Sequence, residues 1–226
     1  MPSDHNRKEV FRMENNSTEL VFILDRSGSM SGLEKDTIGG FNGMIGKQRK
    51  QEGECYVTTF LFDDRTEFLH DRLRLNDVTE MTEDQYYVRG CTALIDAIGI
   101  ALTHIESIHR YVRPEDVPAH TMFIITTDGM ENASRKYTAS AVREMIERKR
   151  KSCGWEFLFL GANIDAVETA SALGIAEDKA ANYCGDPAGT ALNYEAVGKA
   201  ITELRCNRPI TSSWKEGVER DWRKRG

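Results

Sequence analysis

Two short, continuous apolar runs, each leading to an aspartate, constrain this 226-residue chain more than any other feature. Leu20-Val21-Phe22-Ile23-Leu24 runs into Asp25-Arg26-Ser27-Gly28-Ser29, and Met122-Phe123-Ile124-Ile125 leads to Thr127-Asp128-Gly129. A strand that is apolar at every position offers no face to water, so both runs read as parallel strands covered on both sides. Around them, strand and helix patterns alternate. A helix is expected over 33–50, weakened by Gly39, Gly40, Gly43 and Gly46 at up to about 1 kcal/mol each relative to alanine. Close packing on the sheet would explain so many glycines. Segment 55–62 is rich in Val, Thr, Tyr and Phe and pairs as a hairpin with 66–75, the second arm falling at an edge. The stretch 76–89 is polar and irregular, and Leu94, Ile98, Ala101, Leu102 and Ile105 mark one face of a helix over 92–109. Further helices are expected over 138–151, 164–173 and 190–204, with strands at 155–160 and near Asn182.

This order predicts an α/β fold: a doubly wound, Rossmann-like, mostly parallel sheet with one antiparallel edge strand and helices on both faces. The length suits one domain, expected over 18–206, with a polar tail at 1–17 and a basic tail at 207–226. No stretch approaches the roughly 20 apolar residues that a membrane helix needs, and the opening segment lacks the apolar run of a secretory signal, so a cytoplasmic protein is expected. Cys55, Cys91, Cys153, Cys184 and Cys206 are odd in number and scattered, which suggests neither a disulfide framework nor a zinc site. The sequon at Asn16-Ser17-Thr18 is then without consequence. A net charge of −6 argues against a nucleic-acid partner, whose affinity would rest on neutralising phosphates.

Three segments carry oxygen-rich side chains: Asp25-Arg26-Ser27-Gly28-Ser29, Gly90-Cys91-Thr92-Ala93-Leu94 and Thr127-Asp128-Gly129. In an open α/β sheet the carboxyl ends of the strands face a common crevice, so these side chains can converge although remote in sequence. Two carboxylates and three hydroxyls suit Mg²⁺, a hard cation that takes six oxygens and usually accepts only one or two protein carboxylates. The neutral hydroxyls of Ser27, Ser29 and Thr92 leave the ion's charge less cancelled than an all-carboxylate cage would, so it retains affinity for a Glu or Asp carboxylate from another protein.

The combination of D-x-S-x-S, a distant threonine and a distant T-D-G resembles the metal-ion-dependent adhesion site of von Willebrand factor type A domains, and the order of elements is similar from about residue 18 to 206. That resemblance implies that Ser27 and Ser29 ligate Mg²⁺ directly, Asp25, Thr92 and Asp128 directly or through water, with Mn²⁺ or Ca²⁺ as substitutes. It also implies a protein-binding module rather than an enzyme, a role for intracellular members inside larger ATPase-linked complexes, and a last helix that shifts on ligand binding. Cys91 departs from the family pattern, which often has a second glycine there, but removes no ligand oxygen.

Blander roles compete for the same residues. Asp25, Ser27 and Thr92 could cap helices, and Asp128-Gly129 could be a turn. Tyr86, Tyr87 and Arg89 could rim a binding surface or simply pack their loop, and Glu131 reads as solvated. The basic run 148–151 reads as a solvated helix end. Enzyme signatures fail one by one. Gly28-Ser29-Met30-Ser31-Gly32 has methionine where a nucleophile elbow needs serine. Gly46-Lys47 lacks the rest of a phosphate loop, and His104 and His109 lack zinc-helix spacing. The remaining enzymatic alternative is a Mg²⁺-dependent phosphohydrolase of the haloacid-dehalogenase kind, which wants D-x-D where Ser27 stands third.

Overall fold

The computed structural model describes residues 16–225. Six strands form one sheet in the order β3-β2-β1-β4-β5-β6. They are β1 (Thr18–Asp25), β2 (Cys55–Phe62), β3 (Thr66–Arg74), β4 (His120–Thr127), β5 (Glu156–Gly161) and β6 (Ala180–Asn182). All neighbours run parallel except β2 and β3, the expected hairpin, whose register shifts between Val57 and Phe60. The helices are α1 (Glu34–Gln48), α2 (Leu94–Tyr111), α3 (Ala139–Cys153), α4 (Ala166–Ala172), α5 (Pro187–Arg205) and α6 (Glu216–Arg225).

The apolar runs work as their composition requires. Along β1 the side chains alternate between two cores, Leu20, Phe22 and Leu24 facing one and Val21 and Ile23 the other. β4 splits in the same way, with Met122 and Ile124 on one side and Phe123 and Ile125 on the other. The first core is closed by α1, α5 and α6 through Phe41, Tyr194, Ile201 and Val218; the second by α2, α3 and α4 through Ile98, Val142 and Ala170. A strand facing apolar helices on both sides cannot alternate polar with apolar residues, which is why its sequence is a solid run. The doubly wound α/β architecture with one antiparallel pair is therefore observed as expected.

Three expectations need correction. The glycines of α1 do not share a packing role: a side chain at Gly39, Gly43 or Gly46 would meet nothing within 4 Å. Only Gly40 is crowded, and by α5 rather than the sheet, since a Cβ there would lie 2.2 Å from the Tyr194 ring. α2 does not start at a threonine cap, because Ala93 holds the cap position and makes no side-chain bond. Finally, the stretch 207–226, expected as a basic tail, is folded over its described part as a 3₁₀ turn at Ser212–Lys215 followed by α6. Trp214 is 2 % exposed and donates its indole N–H to the Asp178 carbonyl at 2.9 Å, while Lys215 Nζ reaches the Glu177 and Ala180 carbonyls at 2.8 Å each. Three apolar residues, Ile210, Trp214 and Val218, outweigh the surrounding charge. The expected N-terminal tail lies outside the described residues over 1–15, and Ser17 is already buried. Among the described residues no helix is long and apolar enough to cross a membrane.

Replacing Trp214 with alanine should cost about 3 to 5 kcal/mol, the usual price of emptying a large aromatic site. Urea denaturation that leaves the unfolding midpoint of Trp214→Ala unchanged would show the segment to be peripheral.

Candidate metal centre

The three oxygen-bearing loops meet at the carboxyl ends of β1 and β4, the two central strands. Ser27 Oγ lies 3.0 Å from Ser29 Oγ, and the Thr92 hydroxyl donates to Ser27 Oγ at 3.0 Å. Asp128 follows the end of β4, and Gly129 beside it faces the hydroxyls. A Cβ on Gly129 would fall 2.7 Å from Thr92 Oγ1 and 2.9 Å from Ser29 Oγ. Glycine thus leaves open the space that the hydroxyls surround. Asp25, Ser27, Thr92 and Asp128 are each buried to within 4 % of completely, whereas Ser29 is exposed, so the group opens to solvent on one side.

The capping roles are not taken up. Asp25 does not cap a helix: Oδ1 accepts the Ser27 N–H at 2.7 Å and Oδ2 accepts the Thr127 hydroxyl at 2.6 Å. Ser27 stands at the cap of the 3₁₀ turn Gly28–Met30 without a side-chain bond. The first turn of α2 is satisfied by the loop after β4 instead. Ile95 N–H donates to Glu131 Oε2 at 2.8 Å, and Asp96 N–H donates to Ser134 Oγ at 2.9 Å. In return, the Asp96 carboxylate accepts the N–H groups of Arg135, Lys136 and Tyr137, each at 2.8 Å. Glu131 is exposed, as expected, and its carboxylate is in addition a clasp that holds the Asp128 loop to the Thr92 loop. Asn132 completes it by accepting from Thr92 N–H and donating its own N–H to the Thr92 carbonyl.

On the other flank, Tyr86 is 1 % exposed and donates its hydroxyl to the Asp25 carbonyl at 2.5 Å, so it braces the loop rather than rimming a surface. Arg26, 2 % exposed, donates Nε to Asp63 at 2.9 Å and its guanidinium also pairs with Glu67. Arg89 bonds the same two carboxylates at 2.7 and 2.6 Å, and its backbone N–H donates to the Arg26 carbonyl. This network ties the first loop to the β2–β3 hairpin.

Sequence reasoning gave no role to Arg26, Asp63 or Asn163, and named Thr127 only as part of the T-D-G segment. Asn163 sits just past β5 with a left-handed backbone (φ 54°), and its side-chain amide donates to Asp128 Oδ1. The available signal was an asparagine after a strand's carboxyl end, a residue that tolerates this conformation. The other candidates stay apart from the centre: His104 pairs with Asp71, His109 pairs with Glu19, and Lys149 pairs with Glu106 and lies over Trp155.

The electrostatics favour a cation. Burial holds the Asp25 carboxyl above its usual range in spite of the Thr127 and Ser27 hydrogen bonds. Burial raises Asp128 as well, and the neighbouring Asp25 charge adds to it against the Asn163 hydrogen bond. Among the described residues neither aspartate has a Lys, Arg or His ion-pair partner, and no cluster of three or more His, Cys, Asp or Glu side chains suited to a metal is present. Two uncompensated carboxylates with three hydroxyls match the all-oxygen, low-carboxylate donor set of Mg²⁺. The residues present therefore fit the ion.

A carboxyl raised in the folded state contributes stability that is present below its unfolded value and lost as pH rises through the folded one. In chelator, wild type should lose stability as pH rises above the ordinary aspartate range. Asp128→Asn should match or exceed wild type at pH 7 in EDTA, an advantage that shrinks toward pH 4. Thermal melts showing the variant less stable at pH 7 would contradict the absence of a charge partner.

Comparison with known proteins gives a consistent frame. The model of a family described as VWA domain containing CoxE-like protein matches residues 4–156. No curated protein matches the chain. Among solved structures the chain is similar to a von Willebrand factor type A protein from Catenulispora acidiphila, at 14% identity and TM-score 0.56, covering 82% of this chain and 42% of that one. It is similar to manganese-loaded TRAP protein from Plasmodium vivax, at 18% identity and TM-score 0.52, covering 79% and 72%. Proximal thread matrix protein 1 from the mussel byssus, with a zinc-occupied MIDAS motif, matches at 16% identity and TM-score 0.55, covering 81% and 45%. The chain thus spans less than half of the first and third of these. At such identities the likeness shows the fold.

Proposed function

We propose, from the premise that the chain belongs to the family of VWA domain containing CoxE-like proteins, that it is a protein-binding module acting through one divalent ion, Mg²⁺ or in its place Mn²⁺ or Ca²⁺. The observation that carries this reading is the space walled by the Ser27, Ser29 and Thr92 hydroxyls and kept open by Gly129, next to two buried aspartates without a cationic partner. Ser27, Ser29, Thr92, Asp25 and Asp128 would hold the ion. Bound there, it would supply a positive charge incompletely cancelled by its ligands and open to one more anionic oxygen. The partner is a protein presenting a Glu or Asp carboxylate. That two structural relatives are described with manganese and with zinc, the latter in a MIDAS motif, supports a divalent metal.

The chain's own residues explain how such a site would stay assembled without a partner. Thr127 and the Ser27 N–H fix both oxygens of Asp25, Asn163 orients Asp128, and Asn132 fixes Thr92. The hydrogen bonds on Asp25 also speak against phosphohydrolase chemistry. A carboxylate 1 % exposed with both oxygens engaged is not presented to attack phosphorus. All five cysteines are free, which suits a reducing, cytoplasmic setting.

Calorimetry on protein stripped with EDTA should show uptake of one Mg²⁺ or Mn²⁺, with Asp128→Ala and Ser27→Ala each weakening it at least about tenfold. With Mn²⁺ bound, a glutamate-containing peptide should lower water-proton relaxation by taking a coordination place, and its glutamine counterpart should not. Absence of any metal uptake by wild type sinks the reading.

A further inference from the structure

Behind the metal loops, on the face covered by α1 and α5, lies a cavity of ≈ 10 Å³. Asp25 and Met30 form its end nearest the loops, Thr37 of α1 lines one side, and Thr190 and Asn193 of α5 line another. Every residue around it is more than nine-tenths buried. Two polar atoms of these lining residues, Thr190 Oγ1 and Asn193 Oδ1, have no hydrogen-bond partner, and Thr37 Oγ1 has only a loose approach to the Tyr86 hydroxyl. A buried polar atom left unpaired forfeits its hydration with nothing in return, so such atoms gathered around one hole are an unfavourable arrangement for a dry interior. Apolar cavities stay empty, whereas a polar one with room for one water and two to four partners holds it.

We infer that this cavity is a binding site for a single internal water that joins α5 and α1 to the Asp25 end of β1. The donor and acceptor balance closes. Asn193 Oδ1 can only accept, so the water donates to it; the Thr37 and Thr190 hydroxyls donate to the water; its second hydrogen is left for the Asp25 end of the cavity. Thr190 lies in the first turns of α5, which Asp186 caps through the Gly189 N–H at 2.8 Å, so that end of the helix is held. The Arg205 guanidinium holds the other end to the carbonyls of Gln48, Gln51, Glu52 and Gly53. Through the water, α5 positions Asp25 from behind while the loops position it from the front. This positioning role rests on the metal-binding reading; the existence of the water does not.

The test therefore has two arms. A crystal structure of the metal-free protein at a resolution that shows ordered waters should place one water within hydrogen-bond reach of Thr190 and Asn193. An empty cavity, or side chains rotated to bond one another, overturns the inference whatever the metal does. In the second arm, Thr190→Val removes a donor at constant shape and should weaken Mg²⁺ binding about tenfold, as loss of groups that orient metal ligands does, with Thr190→Ser restoring it. Equal Mg²⁺ affinity for the valine and serine variants overturns the positioning role. Should wild type take up no Mg²⁺ at all, the function proposed above fails, and the crystallographic arm still decides whether the water is there.

Discussion

Two carboxylates buried at the ends of adjacent central strands, with no cation among the described residues to answer them, are the constraint around which this molecule is arranged. Asp25 and Asp128 are both raised by burial, and the Asp25 charge raises Asp128 further. A fold does not hold such a pair for stability, because apolar residues of similar size would cost less. What makes the arrangement sustainable is hydrogen bonding to the charged forms from Ser27, Thr127 and Asn163.

The loops carrying these side chains hold little regular structure beyond the 3₁₀ turn Gly28–Met30, yet they are held from two sides. The Glu131–Asp96 clasp joins the loop after β4 to the first turn of α2, replacing the helix cap that the local sequence lacks. The Arg26–Asp63–Arg89–Glu67 network joins the loop after β1 to the hairpin at the sheet edge. Burial raises the Asp63 carboxyl, but hydrogen bonds led by that from Arg89 and the Arg26 charge outweigh it and hold it below the ordinary range. Negative charge is thus neutralised within the hairpin network and left uncancelled a few residues away. That contrast marks the aspartates out as a cation site rather than as part of a general ion-pair lattice.

The clasp and the network also explain why single-residue readings in this region were incomplete. Glu131 is exposed as its sequence suggests, and its further role as a clasp goes unseen because most of its partners are backbone N–H groups, which leave no trace in side-chain patterns. For Tyr86 the sequence leaves a surface rim and loop packing both open, and its buried hydrogen bond to a main-chain carbonyl decides for packing. Asn163 carries no period and no motif, and its importance comes only from lying against Asp128.

Local chemistry in the sequence was enough for the architecture. Solid apolar runs demanded strands covered on both faces, helical periods supplied the covers, and the alternation of the two implied a doubly wound sheet whose strand ends would gather the D-x-S-x-S, threonine and T-D-G segments. Tertiary structure alone decided how those segments are held, that α6 belongs to the core, and that unanswered polar groups surround a cavity beneath Asp25. The division has a physical cause. Periodicity and composition record what each segment must bury, whereas a hydrogen bond to a distant backbone, or a gap between two helices, depends on where other segments come to rest.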